Sequence, residues 1–356
     1  MAKEKKVKFK ESIGLDIGSH SIKMVHLRKL HEGFKLLNYE IRSTIPEGIE
    51  PNLSDLSRDR FGPVLSSMLK SMKINPGNVK HLVSSIGGDN TSIKQIKTIF
   101  LPEEELESAL FFEAKKHLPI SGSEMLLDYQ VLSVEERTNN MNILLASSTK
   151  ELLQAHSNIL MTAGFNPGIV DLEALAVANS FALNSYLEDG VYVILNIGAF
   201  KTNMVIYGPK AKFFARDISW GGLHFTKDIM KRKKLNYDEA EKYKFEHGLR
   251  KEGEEDDSSS LIGLDITEKS TAEMIVQEVK RSLRFYVKEA GNSDFRKLLM
   301  VGGSAKLIGL DDYIEDQLKL TTEVYNPFVN LEKPERFSDK QDPQLALALG
   351  LAMRPE

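Results

Sequence analysis

The sequence predicts an α/β protein of two lobes, with a smaller subdomain inserted into the first lobe. At 356 residues the chain is longer than a typical single domain, so two separate hydrophobic cores are expected. A unit of strand, glycine turn and strand occurs twice, 180 residues apart, which indicates two related halves. Between the two copies, several short strands and one amphipathic helix predict a compact additional unit.

The composition is that of an ordinary globular protein, with 41% apolar and 28% charged residues. A formal net charge of -4 gives no overall attraction to nucleic acid, so generic DNA or RNA binding is disfavoured. The chain has no cysteine, which excludes disulfides, thiolate metal sites and a cysteine nucleophile. A reducing compartment is therefore permitted.

No segment of the sequence predicts insertion into a membrane. The apolar stretch Leu345 to Met353 falls far short of the roughly 20 residues that span a bilayer. Residues 1–11 carry five lysines without a following apolar region, so they predict a solvated basic tail rather than a secretory signal or a lipid anchor. We expect a cytoplasmic protein.

The duplicated unit is a β-hairpin with a polar glycine turn. Leu15-Asp16-Ile17-Gly18 aligns without a gap with Leu195-Asn196-Ile197-Gly198, and the match continues through Met24-Val25 and Met204-Val205. Alternating apolar residues on both sides of each glycine indicate paired strands. The predicted strands are Ser12 to Ile17, Ile22 to Leu27, Val191 to Ile197 and Thr202 to Tyr207.

These turns have the residue types that bind phosphate. A glycine turn lets consecutive backbone N–H groups of Gly18 to Ser21 converge on phosphate oxygens, and Lys23 adds a positive charge. Asp16 and Asn196, at equivalent strand ends, are suited to hold Mg2+ through water. Two ordinary structural hairpins are the alternative, but a plain turn would not require an acid or amide in both copies.

With these motifs the chain resembles the actin/Hsp70/FtsA superfamily, which implies an ATP-binding cleft between the lobes. The first hairpin corresponds to that family's first phosphate loop, with Asp16 near the metal and Lys23 at the β-phosphate. The second corresponds to its second phosphate loop, whose usual pattern is Asp-x-Gly-x-x-x-Thr. The residues implied in phosphate binding are Gly18, Ser19, His20 and Ser21 in the first loop, and Gly198, Ala199 and Thr202 in the second.

Asn196 departs from the family pattern, which has aspartate at this position. An amide accepts a hydrogen bond from a metal-bound water, but it lacks the carboxylate charge and cannot act as a base. The sequence therefore leaves catalysis undecided, and we expect at most a slow ATPase.

Three further segments complete the implied nucleotide site. The apolar strand Leu298 to Val301 leads into Gly302, Gly303 and Ser304, with Lys306 and a predicted helix Asp311 to Leu318 after them, and it resembles the family's adenosine loop. The segment Ala240 to Gly248, with Glu241 and Lys244, resembles the FtsA helix that contacts ribose. An intrahelical ion pair is a compatible second interpretation. Gly221 and Gly222 resemble the FtsA segment that enters the smaller part of the second lobe.

A connector helix between the lobes is predicted from Ala174 to Leu187. In the family, a carboxylate or amide before this helix orients the attacking water, and Glu173 is the matching residue. A carboxylate that offsets the helix dipole is an equally weighted interpretation of Glu173.

The inserted unit indicates the subfamily. Its predicted order is a strand Thr91 to Leu101, a helix Glu103 to His117, and strands Asp128 to Val134 and Met141 to Ser147. The run from Leu-Pro-x-x-Glu-Leu to His-Leu-Pro, followed by Leu-Asp-Tyr-Gln-Val-Leu, resembles the insert of the PilM family of type IV pilus assembly proteins, related to that of FtsA. In that family the groove between insert and first lobe receives an N-terminal peptide of the inner-membrane protein PilN. The resemblance implies a PilN-like partner and other pilus platform proteins.

The predicted organisation follows from these motifs. FtsA proteins append a linker and a membrane-binding helix, whereas here an apolar helix Pro343 to Met353 is directly followed by Arg354-Pro355-Glu356, so we expect membrane contact only through a partner. Residues 252–260 form an acidic, serine-rich surface loop. The expected units are the tail 1–11, subdomain 1A over 12–80 and 158–188, the insert 1C over 81–157, subdomain 2A over 189–220 and 271–356, and subdomain 2B over 221–270.

The sequence is compatible with three functions. The favoured one is a nucleotide-responsive adaptor of the pilus platform, recruited to the inner face of the inner membrane. An FtsA-like division or filament-forming protein is the alternative, so self-association stays open. A small-molecule kinase of the same superfold is disfavoured, because a partner-type insert lies where a substrate pocket would be expected.

Overall fold

A computed structural model describes residues 9–46, 48–51, 60–117, 124–166, 168–184, 188–249, 269–337 and 341–354. Most of the basic tail and the whole acidic run 252–260 lie outside these ranges. The described chain contains thirteen strands in three sheets. The strands are β1 Glu11–Ile17, β2 Ser21–Lys29, β3 Phe34–Ser43, β4 Leu82–Ile86, β5 Thr91–Ile99, β6 Met125–Glu135, β7 Asn140–Thr149, β8 Ile169–Leu172, β9 Val191–Ile197, β10 Thr202–Tyr207, β11 Phe214–Ile218, β12 Phe295–Val301 and β13 Thr322–Val324.

The α-helices begin at local signals that the sequence contains. Asn236 and Ser270 accept hydrogen bonds from backbone N–H groups three residues later, while Glu239 and Glu273 accept from the cap residues, so each pair forms a capping box. The helices in the described ranges are α1 Phe61–Met72, α2 Glu103–His117, α3 Lys150–Thr162, α4 Glu173–Asn184, α5 Gly222–Lys233, α6 Tyr237–His247, α7 Thr271–Ala290, α8 Leu310–Leu318 and α9 Ala346–Ala352.

The first lobe is built on a five-stranded sheet of order β3-β2-β1-β4-β8. β1 and β2 form an antiparallel hairpin, and β4 and β8 continue the sheet in parallel with β1. Central strands of such sheets are covered on both faces. Leu15 packs in a cluster with residues of α1 and α3, and Val25 packs in another with residues of α9.

The second lobe repeats this arrangement with the order β11-β10-β9-β12-β13. β9 and β10 form the second antiparallel hairpin, and β12 and β13 are parallel to β9. Both predicted hairpins are therefore present, in the same place within each sheet. Their glycine turns lie at equivalent ends of the two central strands.

A third, three-stranded sheet of order β5-β7-β6 forms the inserted unit, with α2 packed against it. The apolar face of α2, with Leu106 and Leu110, packs on Ile143 and Leu145 of β7. The order of strands and helix is the predicted one. β4 lies in the sheet of the first lobe, between β1 and β8, because its residues are buried on both faces. We therefore propose that the insert begins after Ile86 rather than at residue 81.

The two lobes meet where α4 crosses α9. The approach is very close, since a Cβ atom added to Gly350 would lie 1.7 Å from the carbonyl oxygen of Ala176. A Cβ atom added to Gly14 of β1 would likewise lie 2.0 Å from the carbonyl oxygen of Ala348. The apolar C-terminal helix begins with a short 3₁₀ turn, Pro343–Leu345, before α9. It joins both lobes, because its residues belong to the cores of each.

Candidate functional site

A cleft of about 660 Å³ lies between the two hairpins. It is lined by the turns of both hairpins, by the start of α4 and α5, by α6 and by the turn after β12. The fold thus brings together these six segments from separate parts of the sequence. The sequence-predicted residues in its lining are Asp16, Gly18, Ser19, His20, Ser21, Lys23, Glu173, Asn196, Gly198, Ala199, Gly222, Glu241, Lys244, Gly302, Gly303, Ser304 and Lys306.

Two sequence-predicted residues, Thr202 and Gly221, do not line the cleft. The hydroxyl of Thr202 is buried and donates to the carbonyl oxygen of Trp220 at 2.8 Å. Gly221 lies against the second turn, where an added Cβ atom would come within 2.7 Å of the Gly198 carbonyl oxygen and 2.8 Å of the Lys201 nitrogen. Both residues support the second turn from behind.

In the first hairpin, Asp16 and Lys23 are cross-strand neighbours and form an ion pair of 3.0 Å. Both side chains are largely buried, at 10% and 14% exposure. Gly18 has little space around it, because an added Cβ atom would lie 2.9 Å from the carbonyl oxygen of Ser21. The turn is fixed to the lobe by Thr44, whose hydroxyl donates to the Ser19 carbonyl at 2.7 Å.

In the second hairpin, the same cross-strand position pairs Asn196 with Asn203. Asn203 is buried, and its Nδ2 donates to Oδ1 of Asp217 at 2.7 Å. Because that contact requires a donor, Oδ1 of Asn203 faces the other way, and it has no hydrogen-bond partner within the described residues. The amide of Asn203 therefore leaves a buried acceptor at the back of the cleft.

Lys201 lies between two carboxylates at the back of the cleft. Its Nζ is 3.0 Å from Oε2 of Glu173 and 3.1 Å from Oδ2 of Asp217. Burial raises the pKa of the Glu173 carboxyl, and the positive charge of Lys201 only partly offsets this. Burial alone would lower the pKa of Lys201, but Glu173 and Asp217 together raise it, so the lysine stays protonated. Lys201, Asn203 and Asp217 were not among the site residues predicted from the sequence.

The aligned hairpins contained a signal for two of these residues. At the offset of 180 residues, Lys201 corresponds to Ser21 and Asn203 to Lys23. A lysine therefore occurs in both hairpins, on the second strand of the first and in the turn of the second. Asp217 has no counterpart in that alignment, and only the pairing of β11 with β10 brings it to the site.

The turn after β12 closes one side of the cleft. Gly302 has a φ of +90°, and an added Cβ atom would lie 2.6 Å from the Ile197 carbonyl oxygen. The hydroxyl of Ser304 is 3.5 Å from the Gly198 carbonyl oxygen, so this turn contacts the second hairpin directly. Lys306 forms an ion pair of 2.8 Å with Asp342.

On α6, both interpretations of Glu241 and Lys244 are compatible with the geometry. The two side chains form an intrahelical ion pair, and both line the cleft. The Nζ of Lys244 also donates to the Thr226 hydroxyl at 2.9 Å and to the Gly222 carbonyl at 3.3 Å. Burial lowers the pKa of Lys244, although Glu241 opposes that effect.

At the cleft, His20 of the first lobe contacts Tyr237 of the second lobe. Nε2 of His20 lies 3.5 Å from the hydroxyl oxygen of Tyr237, the first residue of α6. Burial lowers the pKa of His20, with a smaller opposing effect of Glu241. His20 is therefore neutral at pH 7 and adds no charge to the turn of the first hairpin.

The residues that line the cleft fit Mg2+ bound together with a nucleotide better than Mg2+ bound by protein side chains alone. Within the described ranges no group of three or more His, Asp or Glu side chains could hold a metal ion. Mg2+ is usually held by one or two carboxylates together with phosphates and waters. Asp16, Asn196 and the free Oδ1 of Asn203 supply suitable oxygen atoms at the ends of the central strands.

Within the described part of the chain, no helix has the length and apolar character needed to cross a membrane. α7, at 20 residues, is amphipathic and contributes its apolar face to the core of the second lobe.

Comparisons with known proteins agree with this architecture. A family model described as type IV pilus assembly protein PilM matches residues 14–356. The chain is 22% identical over 366 residues to the cell division protein FtsA of Staphylococcus epidermidis, covering 91% of this chain and 76% of FtsA. A chain of the solved PilM-PilN type IV pilus biogenesis complex matches with a TM-score of 0.79 and 23% identity, covering 98% of this chain and 99% of that one.

A second solved structure, the ethanolamine utilization protein EutJ from Carboxydothermus hydrogenoformans, matches with a TM-score of 0.50 and 14% identity, covering 98% of this chain and 91% of EutJ. The two-lobed architecture is that of the actin-like ATPase fold, as the sequence predicted. Because the family model spans nearly the whole sequence, the insert and both lobes are included in the match. The chain belongs to the PilM family of type IV pilus assembly proteins.

Proposed function

We propose that this protein binds ATP with Mg2+ in the interlobe cleft and acts as a cytoplasmic adaptor in type IV pilus assembly. The observation that carries the proposal is the convergence of two glycine hairpins, the Gly302 turn and α6 on one cavity of about 660 Å³. Pockets for small ligands are of this size, and few convergent polar groups define their specificity. ATP holds the cleft closed, and its loss lets the lobes open about the α4/α9 crossing, which keeps them joined.

Each part of the cleft has a distinct role in this proposal. The turns from Gly18 to Ser21 and at Gly198 bind the phosphates, with Lys23 at the β-phosphate. Asp16 and Asn196 hold Mg2+ through its waters, and the metal neutralises phosphate charge. Gly302 to Ser304 and Lys306 bind the adenosine, and Glu241 and Lys244 contact the ribose.

Hydrolysis is slow or absent in this proposal. Glu173 is the candidate base for the attacking water, but its ion pair with Lys201 competes with that role. Asn196 cannot act as a base and contributes no negative charge to the metal. The cleft is therefore suited to holding ATP rather than to rapid turnover.

The partner is proposed to be the N-terminal cytoplasmic peptide of a PilN-like inner-membrane protein. The solved PilM-PilN complex is a complex of the matched relative, and its overall fold agrees with that of this chain. The insert has a surface suited to a partner, since eight of fifteen exposed large apolar side chains in the described ranges belong to it. They are Ile99, Phe100, Phe111, Phe112, Leu126, Val131, Leu132 and Val134.

β6 adds a second feature suited to peptide binding. It is an edge strand of the three-stranded sheet, next to β7. An edge strand offers backbone groups with which an extended peptide can pair, while exposed side chains give specificity. Through such a peptide the protein would be recruited to the inner face of the inner membrane, where it relays its nucleotide state to other platform proteins in pilus biogenesis and twitching motility.

Nucleotide binding is tested by calorimetric titration of ATP and Mg2+ into the full chain. Asp16→Ala and Lys23→Ala should each weaken binding by a factor of about ten or more, since hydrogen bonds to charged groups contribute about 1.5–3 kcal/mol. Lys210→Met is the matched control, because Lys210 is exposed and lies outside the cleft. Unchanged affinity in both cleft variants would contradict the assignment of the cleft.

Partner binding is tested with a synthetic peptide of the N-terminal residues of the PilN-like protein from the same organism. The wild-type chain should bind it, and Leu132→Asp should weaken the binding without lowering the affinity for ATP. Val324→Asp is a suitable control, because Val324 is comparably exposed on β13 of the second lobe. Absence of peptide binding, together with ATP consumption stimulated by a hydroxylated small molecule, would favour a kinase instead.

A filament-forming or cell-division protein is the second candidate. It is favoured by the similarity to FtsA over 91% of this chain and by the actin-like fold itself. Sedimentation of the protein with ATP and Mg2+ distinguishes the two functions. An adaptor should stay in solution at concentrations where a filament former would sediment.

A further inference from the structure

Behind the cleft, four polar side chains form a small cluster that separates two cavities. We refer to Lys201, Glu173, Asp217 and Asn203 as the Lys201 cluster. Glu173 and Asn203 line both the nucleotide cleft and a second cavity of about 480 Å³. The second cavity lies between the start of the insert, from Ile86 to Ile93, and strands β10 and β11 of the second lobe.

We propose that Lys201 exchanges partners when a nucleoside triphosphate binds. In the nucleotide-free protein it pairs with Glu173 and Asp217, and in the bound protein its ammonium group contacts the terminal phosphate. This inference rests on the proposed function of the cleft. It assigns to Lys201 the discrimination between a triphosphate and a diphosphate.

The position of Lys201 allows this exchange. It lies at the tip of the second hairpin and lines the nucleotide cleft together with Gly198 and Ala199. Its side chain is 33% exposed. The flexible four-carbon side chain of lysine lets the ammonium group reach different partners. Lys23, by comparison, has Asp16 as its partner and is 14% exposed. Lys201 is therefore the more exposed of the two hairpin lysines.

The charges of the cluster also favour exchange. One ammonium group is shared by two carboxylates that come from different elements, Glu173 at the start of α4 and Asp217 on β11. A terminal phosphate carries up to two negative charges and offers three acceptor oxygens, so it competes effectively for a lysine. A diphosphate also ends in a phosphate, but it lacks the γ-phosphate that we place at Lys201, so the lysine stays with its carboxylates.

A movement of Lys201 would also affect the first residues of the insert. An added Cβ atom at Gly87 would lie 2.4 Å from Cδ of Glu173, so the Glu173 carboxylate lies directly against the chain that enters the insert. An added Cβ atom at Gly88, which has a φ of +99°, would lie 3.8 Å from Nζ of Lys201. The second cavity gives these groups room to rearrange. The cluster thus connects the phosphate end of the cleft to the partner-binding insert.

The experiment compares the affinities of the non-hydrolysable triphosphate AMP-PNP and of ADP, each with Mg2+, by calorimetry. The wild type should prefer AMP-PNP. In Lys201→Met, the affinity for AMP-PNP should fall about tenfold or more, because a charge-assisted hydrogen bond is lost, while the affinity for ADP should change less than about threefold. Lys201→Arg should keep the preference, and Lys210→Met should behave as wild type.

A folding defect must be separated from a loss of contact. Lys201→Met leaves two carboxylates without their cation, whereas the double variant Lys201→Met/Glu173→Gln removes one of these charges. Loss of the AMP-PNP preference in both variants, with circular dichroism spectra like that of the wild type, supports partner exchange. An unchanged preference, or an equal loss for both nucleotides, would overturn it and leave the proposed function intact. If the wild type binds neither nucleotide, both proposals fail.

Discussion

Asp16 and Asn196 occupy equivalent positions in the two hairpins, yet their cross-strand partners make them different sites. Asp16 is neutralised by Lys23, whereas Asn196 lies opposite Asn203, another amide. The first hairpin therefore contributes an ion pair and the second contributes uncharged oxygen atoms. Of these cross-strand pairs, only the first hairpin therefore offers a carboxylate to a metal, and it does so once Lys23 turns to a phosphate.

Replacing the second-loop amide by the family's carboxylate tests whether that residue limits turnover. Asn196→Asp should raise the rate of ATP hydrolysis several-fold, because the new carboxylate adds charge to the Mg2+ site and can accept a proton. Steady-state release of inorganic phosphate measures the change. Asp16→Ala combined with Asn196→Asp should abolish the gain, and an unchanged rate in Asn196→Asp alone would mean that another residue limits hydrolysis.

The partly buried imidazole of His20 predicts a pH dependence of stability. Burial lowers its pKa below the ordinary 6.5, so between the two values the unfolded chain binds more protons than the folded one. The contribution of His20 to stability is thus present above about pH 6.5 and is lost as the pH falls toward its folded pKa, at no more than about 1.4 kcal/mol per pH unit.

Thermal unfolding of the wild type and His20→Gln between pH 5 and pH 7.5 measures this effect. The difference between the two proteins should change with pH below about 6.5 and stay constant above it. A constant difference over the whole range would show that His20 has its ordinary pKa in the folded protein.

At the scale of elements, the glycine turn after β12 is the most constrained part of the cleft. We expect Gly302→Ala to destabilise the fold by at least about 2 kcal/mol, because a positive φ and a clash with one backbone oxygen and one side-chain oxygen act together. Those oxygens lie 2.6 Å and 2.7 Å from the added Cβ atom, on Ile197 and Asn196. Denaturant unfolding measures the loss, and nucleotide affinity should fall with it.

Gly291, the residue after α7, is the matched control for this substitution. Its φ of +64° is also positive, but no atom lies within 4 Å of an added Cβ atom. Gly291→Ala should therefore show only the conformational term, about 1–2 kcal/mol. Equal losses in both variants would mean that the contact with the second hairpin contributes nothing.

The elements were largely predictable because their signals are local. The second hairpin has the predicted strand bounds, and α2 has the predicted bounds Glu103–His117, since glycine, proline and apolar periodicity act within a few residues. α4 begins one residue earlier than predicted, at Glu173, and its described part ends at Asn184. β6 is longer than predicted because its exposed end pairs with β7, a contact that the sequence pattern does not express.

At the scale of the whole molecule, the two lobes are joined at the close α4/α9 crossing. A nucleotide bound between them would hold them in one arrangement. A ligand that binds only the folded protein, at about 100 times its Kd, stabilises it by about 2.7 kcal/mol. For a chain of 356 residues, this corresponds to a rise in Tm of roughly 4 °C. Differential scanning fluorimetry with ATP and Mg2+ should show the rise in the wild type, and Asp16→Ala should lose most of it at the same ligand concentration.

The sequence by itself determined the actin-like fold, the two hairpins, the insert and most residues that line the cleft. It could do so because each is encoded by a short run of residues, and because the duplication shows that the same run is used twice. Only the tertiary structure decided the pairing of Asp16 with Lys23, the supporting positions of Thr202 and Gly221, and the Lys201 cluster. Glu173, Lys201 and Asp217 come from a helix, a turn and a strand that are separate in the sequence. Their ion pairs therefore depend on sheet pairing and lobe packing, which no local pattern specifies.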